Sequence, residues 1–460
     1  MTDRNRSAFT QGLSKSVSRR TLLGAMMTAG VAGVAACSGV SGTSGSPGQA
    51  GSGSSTSQFN FSTYGDFRFY QDGFARMQEV APEFKDVKFV NQQATGADTL
   101  AAKLLSSHVA KAYASMPDVC ELQWSDIPRL SAAGILTDLT DRFAPYKDKV
   151  SQAALDAVSV NGRIMACPWR PNTTLVWYRD DVWKEAGVDG ESIKLWDDFL
   201  EAGRQIRAHN YADGKPRYII GNAPNPSFRE YLYTQQGGTL FDPSSHKLTA
   251  FADDPRFRDA FALQVEMAKK DGIGVQIEEN TPSWYKALDE GTLSCLVNAS
   301  WTDQQLQQNA PKSAGKWRVV QLPAFKSGDT GQALQGAASV GAIEKPTSNH
   351  DLNWAFMQHS FYNADITPAL YSKWHLNPCF QDAAVKVDYY KESDYYGGQN
   401  VGKLDAETQK VAHSPVGSPD YAVLMNTINA ELGAAIEGKK SVDDAIKSAY
   451  STAQSKSIGG

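Results

Sequence analysis

A chain of 460 residues with 45 basic and 50 acidic side chains is longer than a single hydrophobic core usually supports, which points to two domains. Its net charge of −5 becomes −9 once the first 36 residues, with five basic groups and one acid, are set aside. That balance argues against a nucleic-acid partner, whose phosphates need clustered Lys and Arg.

Residues 1–36 read as a targeting segment outside the fold. Arg4, Arg6, Lys15, Arg19 and Arg20 precede an apolar run, Leu22 to Ala36, shorter than the roughly 20 residues a spanning helix needs. Ser18-Arg19-Arg20-Thr21-Leu22-Leu23 has the form of a twin-arginine export signal. Val34-Ala35-Ala36-Cys37 resembles a lipobox, which makes Cys37 the expected acylated first residue of the mature protein and the membrane anchor. Residues 37–57 are nearly all Gly, Ser and Thr. Such a segment cannot bury enough to offset its ordering entropy, and its expected reach as a tether is roughly 25 Å.

Phe59 to Thr63 alternates like a strand, with Tyr64-Gly65-Asp66 as its exit loop. A helix follows to Val80, with Tyr70, Phe74 and Met77 on one face. Val87 to Val90 is a second strand, and Leu100, Leu104, Leu105 and Val109 mark a second helix. Met116 to Leu122 is a third strand, leaving through Gln123-Trp124-Ser125-Asp126. This order implies parallel βαβ units. Ligands of such sheets sit beyond the strands' C-terminal ends, which singles out Tyr64, Asp66, Gln123 and Trp124.

The stretch from Met165 to Gly187 organises the rest. Pro168, without an N–H, is expected to end the ladder begun at Arg163 to Cys167. Trp169 and Arg170 then sit between Pro168 and Pro171, and Asn172 follows, before an extended run from Thr174 to Tyr178. A charged helix, Asp180 to Ala186, stops at Gly187. A strand interrupted in this way suits a crossover between lobes, where ligands tend to lie. Further helices are expected from Trp196, around Phe228 and Tyr231, over Trp284–Glu290, over Leu352–Tyr362, and from Tyr421. Thr292–Asn298, Trp317–Leu322 and Gly336–Ile343 are expected strands. Ser441 with Asp444 forms a capping box for the last helix.

Several runs occur in the order of a known family. They include Ile127-Pro128-Arg129-Leu130 with Gly134-Ile135-Leu136 and Leu139, and Asn161-Gly162-Arg163-Ile164 ahead of Met165–Gly187. Trp196 to Phe199, Gln236-Gly237-Gly238, Asn298-Ala299-Ser300-Trp301, Pro323-Ala324-Phe325 and Tyr371 to Pro378 follow. The chain from 58 to 455 resembles the extracellular solute-binding proteins of ABC sugar importers, of the maltose-binding type. It departs from them at Ala299, Ala337 and Asn377, where the family often has Gly, Gly and Pro. The resemblance implies an α/β fold of two lobes, each a mainly parallel sheet flanked by helices and joined by hinge crossovers. The expected partition is 58–170 and 339–380 in one lobe, 171–338 and 381–460 in the other.

The resemblance also implies binding of a carbohydrate, probed by an indole at Trp301, and docking of a monomer on the permease's transmembrane subunits. No cofactor and no chemistry are expected. A sugar ring offers hydroxyl edges and a C–H face that suits an aromatic surface. The candidate contacts are Tyr64, Asp66, Gln123, Trp124, Trp169, Arg170, Asn172, Phe228, Tyr231, Trp301 and Trp374. Two other readings stand beside it. Arg170, if unpaired in the cleft, would suit a glycerophosphodiester or another phosphorylated solute. A secreted glycoside hydrolase would need two facing carboxylates, and Asp66 is the one acid among these candidate contacts. Cys120, Cys167 and Cys295 lie in apolar runs, and with Cys379 they are expected to be mostly buried thiols, disulfides being the alternative that an extracellular site permits. No spacing of Cys or His suggests zinc or another metal.

Overall fold

Three strands, Gln58–Thr63 (β1), Lys88–Gln93 (β2) and Val119–Leu122 (β3), pair in parallel in the order β3-β1-β2. Helices Phe67–Val80 (α1) and Ala97–Val109 (α2) connect them. The apolar face of α1 drives this packing. Phe74 stacks on Phe59 at 4.9 Å, and Tyr70 meets Phe61 at 4.5 Å. Phe356, from the helix His350–Phe361, closes the cluster at 5.0 Å from Phe59. Each ring removed from water this way contributes about 1.5–3 kcal/mol. The computed structural model describes residues 57–221, 225–269, 272–456 and 458. The expected export signal, Cys37 and all but the last residue of the expected tether lie outside the described residues.

Two long strands, Cys167–Arg179 and Gln332–Ala342, continue the sheet from β3. Ser339 to Ala342 pair with Leu122 to Val119, while Ala337 to Val340 pair with Pro171 back to Cys167. Farther along, Thr174 to Tyr178 pair with Cys295–Ala299, and Val176 to Arg179 with Trp317–Val320. Both long strands therefore pair with β3 or with each other at one end, and Cys167–Arg179 pairs with Cys295–Ala299 and Trp317–Val320 at the other. The pairs built on Cys167–Arg179 are antiparallel, so the expectation of a mainly parallel sheet describes the β3-β1-β2 side and not this one.

Pro168 does not end the ladder; one 13-residue strand runs through both prolines. Around the prolines its pairing with Gln332–Ala342 is irregular. The pairing slips between Leu334 and Ala337, and again between Ala338 and Ser339. At the first slip Gln335 and Gly336 stand opposite Asn172 alone, and at the second Trp169 is the extra residue. Such bulges bend a strand and re-aim its side chains. The second long strand also begins earlier than expected, at Gln332 rather than Gly336.

The apolar core forms two clusters. One combines the β1–β3 region with Trp177, Trp284, Trp317 and Tyr396. The other gathers Tyr178, Trp183, Phe199 and Phe261 with Ile428 and Ile446 of the last two helices. Alternation along Cys167–Arg179 explains the division: Leu175 and Trp177 face one cluster, Val176 and Tyr178 the other. Cys120, Cys167, Cys295 and Cys379 are all buried and free. No helix among the described residues is long and apolar enough to cross a membrane.

Candidate functional site

A cleft of about 920 Å³ opens beyond the C-terminal ends of β1 and β3 and across the two long strands. Tyr64 and Asp66 reach it from the loop after β1, Gln123 and Trp124 from the loop after β3. Asp66 also caps α1: its carboxylate accepts the Arg68 N–H at 3.0 Å and meets the Arg68 guanidinium at 2.5 Å. That guanidinium holds the Asp66 carboxyl below its usual range. Behind Tyr64, Glu121 accepts from the Thr63 hydroxyl and from the Gly65 N–H at 3.2 Å. Asp126 accepts from Arg129 at 2.7 Å, yet burial raises its carboxyl to about 6.

The bulged crossover forms the floor. Trp169 lines the cleft, but its ring is stacked on Phe69 at 4.8 Å and on Phe361 at 5.9 Å, with the Arg170 guanidinium 4.8 Å over it. The expectation that Trp169 grips a ligand by its face is corrected: the faces are taken by the core. Its Nε1 has no hydrogen-bond partner, nor do Arg170 Nε and Asn172 Oδ1. Among the described residues Arg170 has no ion pair. Burial lowers the pKa of its guanidinium, and Tyr70 and Glu121 partly offset that.

The facing wall comes from three helices. Trp301 stands just before Thr302–Asn309, half-buried, and donates Nε1–H to Gln335 Oε1 at 2.9 Å. No aromatic pair among the described residues involves Trp301. Gln304, Gln305 and Gln308 line the cleft from the same helix. Tyr231 and Glu230 come from Pro226–Gln235. Glu230 accepts from the Tyr421 hydroxyl at the start of Tyr421–Ile436, and burial pushes its carboxyl up to about 7. The Tyr421 ring meets Trp124 edge-on at 4.9 Å.

Gly336 fixes Trp124 from below. Its φ is +67°, and a Cβ there would fall 2.2 Å from Trp124 Cδ1, so the bulge needs glycine for both backbone and space.

Nine of the eleven sequence-derived candidates line this cleft. Phe228 and Trp374 do not. Phe228 is 4% exposed and packs edge-on against Trp196 at 6.2 Å. Trp374 turns to α1, donating to Asp72 at 2.9 Å under the Arg68 guanidinium. Both were singled out by runs that resemble the family, the aromatic-bearing helix before Gln236-Gly237-Gly238 and Tyr371 to Pro378, and the helix turn that carries each points elsewhere. Sequence reasoning missed Glu121, Asp126, Glu230, Gln335 and Tyr421. A carboxylate inside the otherwise apolar Val119–Leu122 run was the one signal for Glu121.

A family model described as bacterial extracellular solute-binding protein matches residues 70–360. An arabinooligosaccharide-binding protein of Halalkalibacterium halodurans is 24% identical over 300 residues, 62% of this chain and 64% of that protein. One of Bacillus subtilis is 26% identical over 280 residues, 60% of each. The matched region thus spans under two thirds of these curated relatives. Among solved structures, an ABC-transporter-associated binding protein of B. animalis subsp. lactis, in complex with β-1,6-galactobiose, aligns with a TM-score of 0.73 at 19% identity. The alignment covers 87% of this chain and 98% of that one, and it shows a shared two-lobed α/β fold. With the family model spanning well over half of the sequence, this chain belongs to the bacterial extracellular solute-binding proteins.

Proposed function

We propose that the chain captures a neutral carbohydrate, an oligosaccharide, in this cleft and delivers it to the transmembrane subunits of an ABC importer. One observation carries the reading. The cleft combines an indole free of aromatic partners, Trp301, with buried polar atoms left unpaired at Trp169, Arg170 and Asn172. An indole face suits a C–H face of a sugar, and each unpaired buried polar atom costs about 1–3 kcal/mol until a hydroxyl or water meets it. The volume, near the top of the roughly 300–1,000 Å³ range of small-molecule sites, has room for more than one ring. The arabinooligosaccharide-binding relatives and the galactobiose complex support the same substrate class.

Charge weighs against a phosphorylated solute. Five acidic side chains line the cleft, Asp66, Asp98, Glu121, Asp126 and Glu230, the last only partly charged near neutral pH, against the guanidiniums of Arg129 and Arg170. In this reading the lobes, parted near 170–171 and 338–339, close over the sugar by bending at the crossovers. Ligand favours the closed form by as much as it binds that form better. A monomer held by acylated Cys37 on the outer face of the membrane would present the closed form to the permease, with no bond made or broken.

The test is a thermal-shift panel of arabinotriose, β-1,6-galactobiose, maltotriose and lactose against glycerophosphocholine and glucose 6-phosphate. A neutral oligosaccharide at 100 times its Kd should add about 2.7 kcal/mol. Stabilisation by the phosphorylated solutes alone, or new reducing ends on incubation, would overturn the reading.

A further inference from the structure

Gln335 has the geometry of a residue that sets the indole on which the sugar reading relies. It shares the two-residue bulge opposite Asn172 with Gly336. From there its side-chain carbonyl accepts the Trp301 indole N–H at 2.9 Å, across 34 residues of sequence. The residue before Trp301 is tied to the other long strand: Ser300 Oγ donates to the Pro171 carbonyl at 3.0 Å. The turn that carries Trp301 is thus pinned once to each crossover.

We infer that Gln335 is a positioning residue: it orients the Trp301 indole within the cleft and couples that orientation to the bulge between the lobes. An indole has two side-chain torsions to fix. Packing sets them only loosely at a half-buried position, so one directional hydrogen bond decides which way the ring plane faces. The bulge is also where Gly336 presses on Trp124. One irregular rung therefore sets the cleft's two flanking indoles. Any change in crossover twist on closing moves them together. This inference rests on the reading of the cleft as a carbohydrate site. It adds a residue that would select ligands by the ring face presented to Trp301.

The test compares Q335M, which keeps the length but removes the acceptor, with Q335E, which keeps an acceptor oxygen. Each is made in the native and in the W301F background. Without ligand, the indole ¹⁵N–H resonance that disappears in W301F belongs to Trp301. In Q335M it should shift upfield and exchange faster with solvent, and in Q335E it should return. With whichever panel oligosaccharide binds the native protein, Q335M should weaken Kd about three- to tenfold and have no further effect in W301F. Should Q335M fold poorly, Q335A at this half-exposed position carries the same expectations. An unmoved resonance in Q335M, or an equal loss of affinity in both backgrounds, overturns the inference. A native protein that binds none of the oligosaccharides sinks the carbohydrate reading instead, and the resonance still decides the role of Gln335.

Discussion

Replacing Gly336 by alanine tests the bulge directly. The left-handed backbone at φ +67° costs an L-residue about 1–2 kcal/mol. The new methyl carbon would lie 2.2 Å from Trp124 Cδ1, and Trp124 is itself wedged against Tyr421. Overpacking of this kind costs about 1–3 kcal/mol, for a total of roughly 2–5. With an unfolding entropy of about 2.1 cal/mol/K per residue over some 400 residues, that is a fall in melting temperature of roughly 2–6 °C. Gly134 supplies the control. It is exposed, its φ is +70°, and a Cβ there would meet nothing within 4 Å. G134A should show the backbone cost alone, a fall of about 1–2 °C. Calorimetry of both variants, with titration of the panel oligosaccharide, gives the comparison. If G336A melts no lower than G134A and binds sugar as the native protein does, the account of the bulge is wrong.

Other expectations separate cleft from core. W301A should weaken sugar binding about tenfold or more with a modest loss of stability, whereas F228A should cost about 3–5 kcal/mol of stability and retain affinity per folded molecule. Equal effects of the two would undo their assignment to different places. Glu230 gives a pH signature, because burial raises its carboxyl from 4.5 to about 7. The folded protein keeps a proton that the unfolded chain releases, so this contribution is full below about pH 4.5 and is lost as pH rises through 7. E230Q, a mimic of the protonated acid, should flatten the melting temperature over that interval, and an unchanged slope would assign the effect to other groups. Finally, the four cysteines of the described residues should titrate as four thiols after denaturation. A reductant should leave the melting temperature of the native protein unchanged, and a drop would reveal a cross-link.

The periodic parts of the fold were legible from the residues. The apolar stripe of Phe67–Val80 and the alternation before it yield α1 and β1 nearly to the residue. Gly291, in the left-handed conformation, closes Pro282–Glu290 as its position implies. The site was legible where loops follow strands, at Tyr64, Asp66, Gln123 and Trp124. It was not legible where geometry breaks period. Two prolines said that the ladder is interrupted, but not that it resumes with a bulge that places Gln335 under Trp301. Phe228 and Trp374 show the opposite error, since an aromatic in a family-like run carries no sign of which way its helix turn faces. Glu230 and Tyr421 meet across 191 residues, a distance at which local pattern is silent.

The two prolines of the first crossover have one more consequence. Both lack a backbone donor, and both lie beside the register shifts in the pairing with Gln332–Ala342, at the level of the cleft floor. Pairing is irregular there and regular on either side, so twist applied to the molecule would concentrate at the two bulges. If the lobes bend here, as proposed, P168A or P171A would change the bulges, and with them both the ease of bending and the aim of the side chains on the cleft floor.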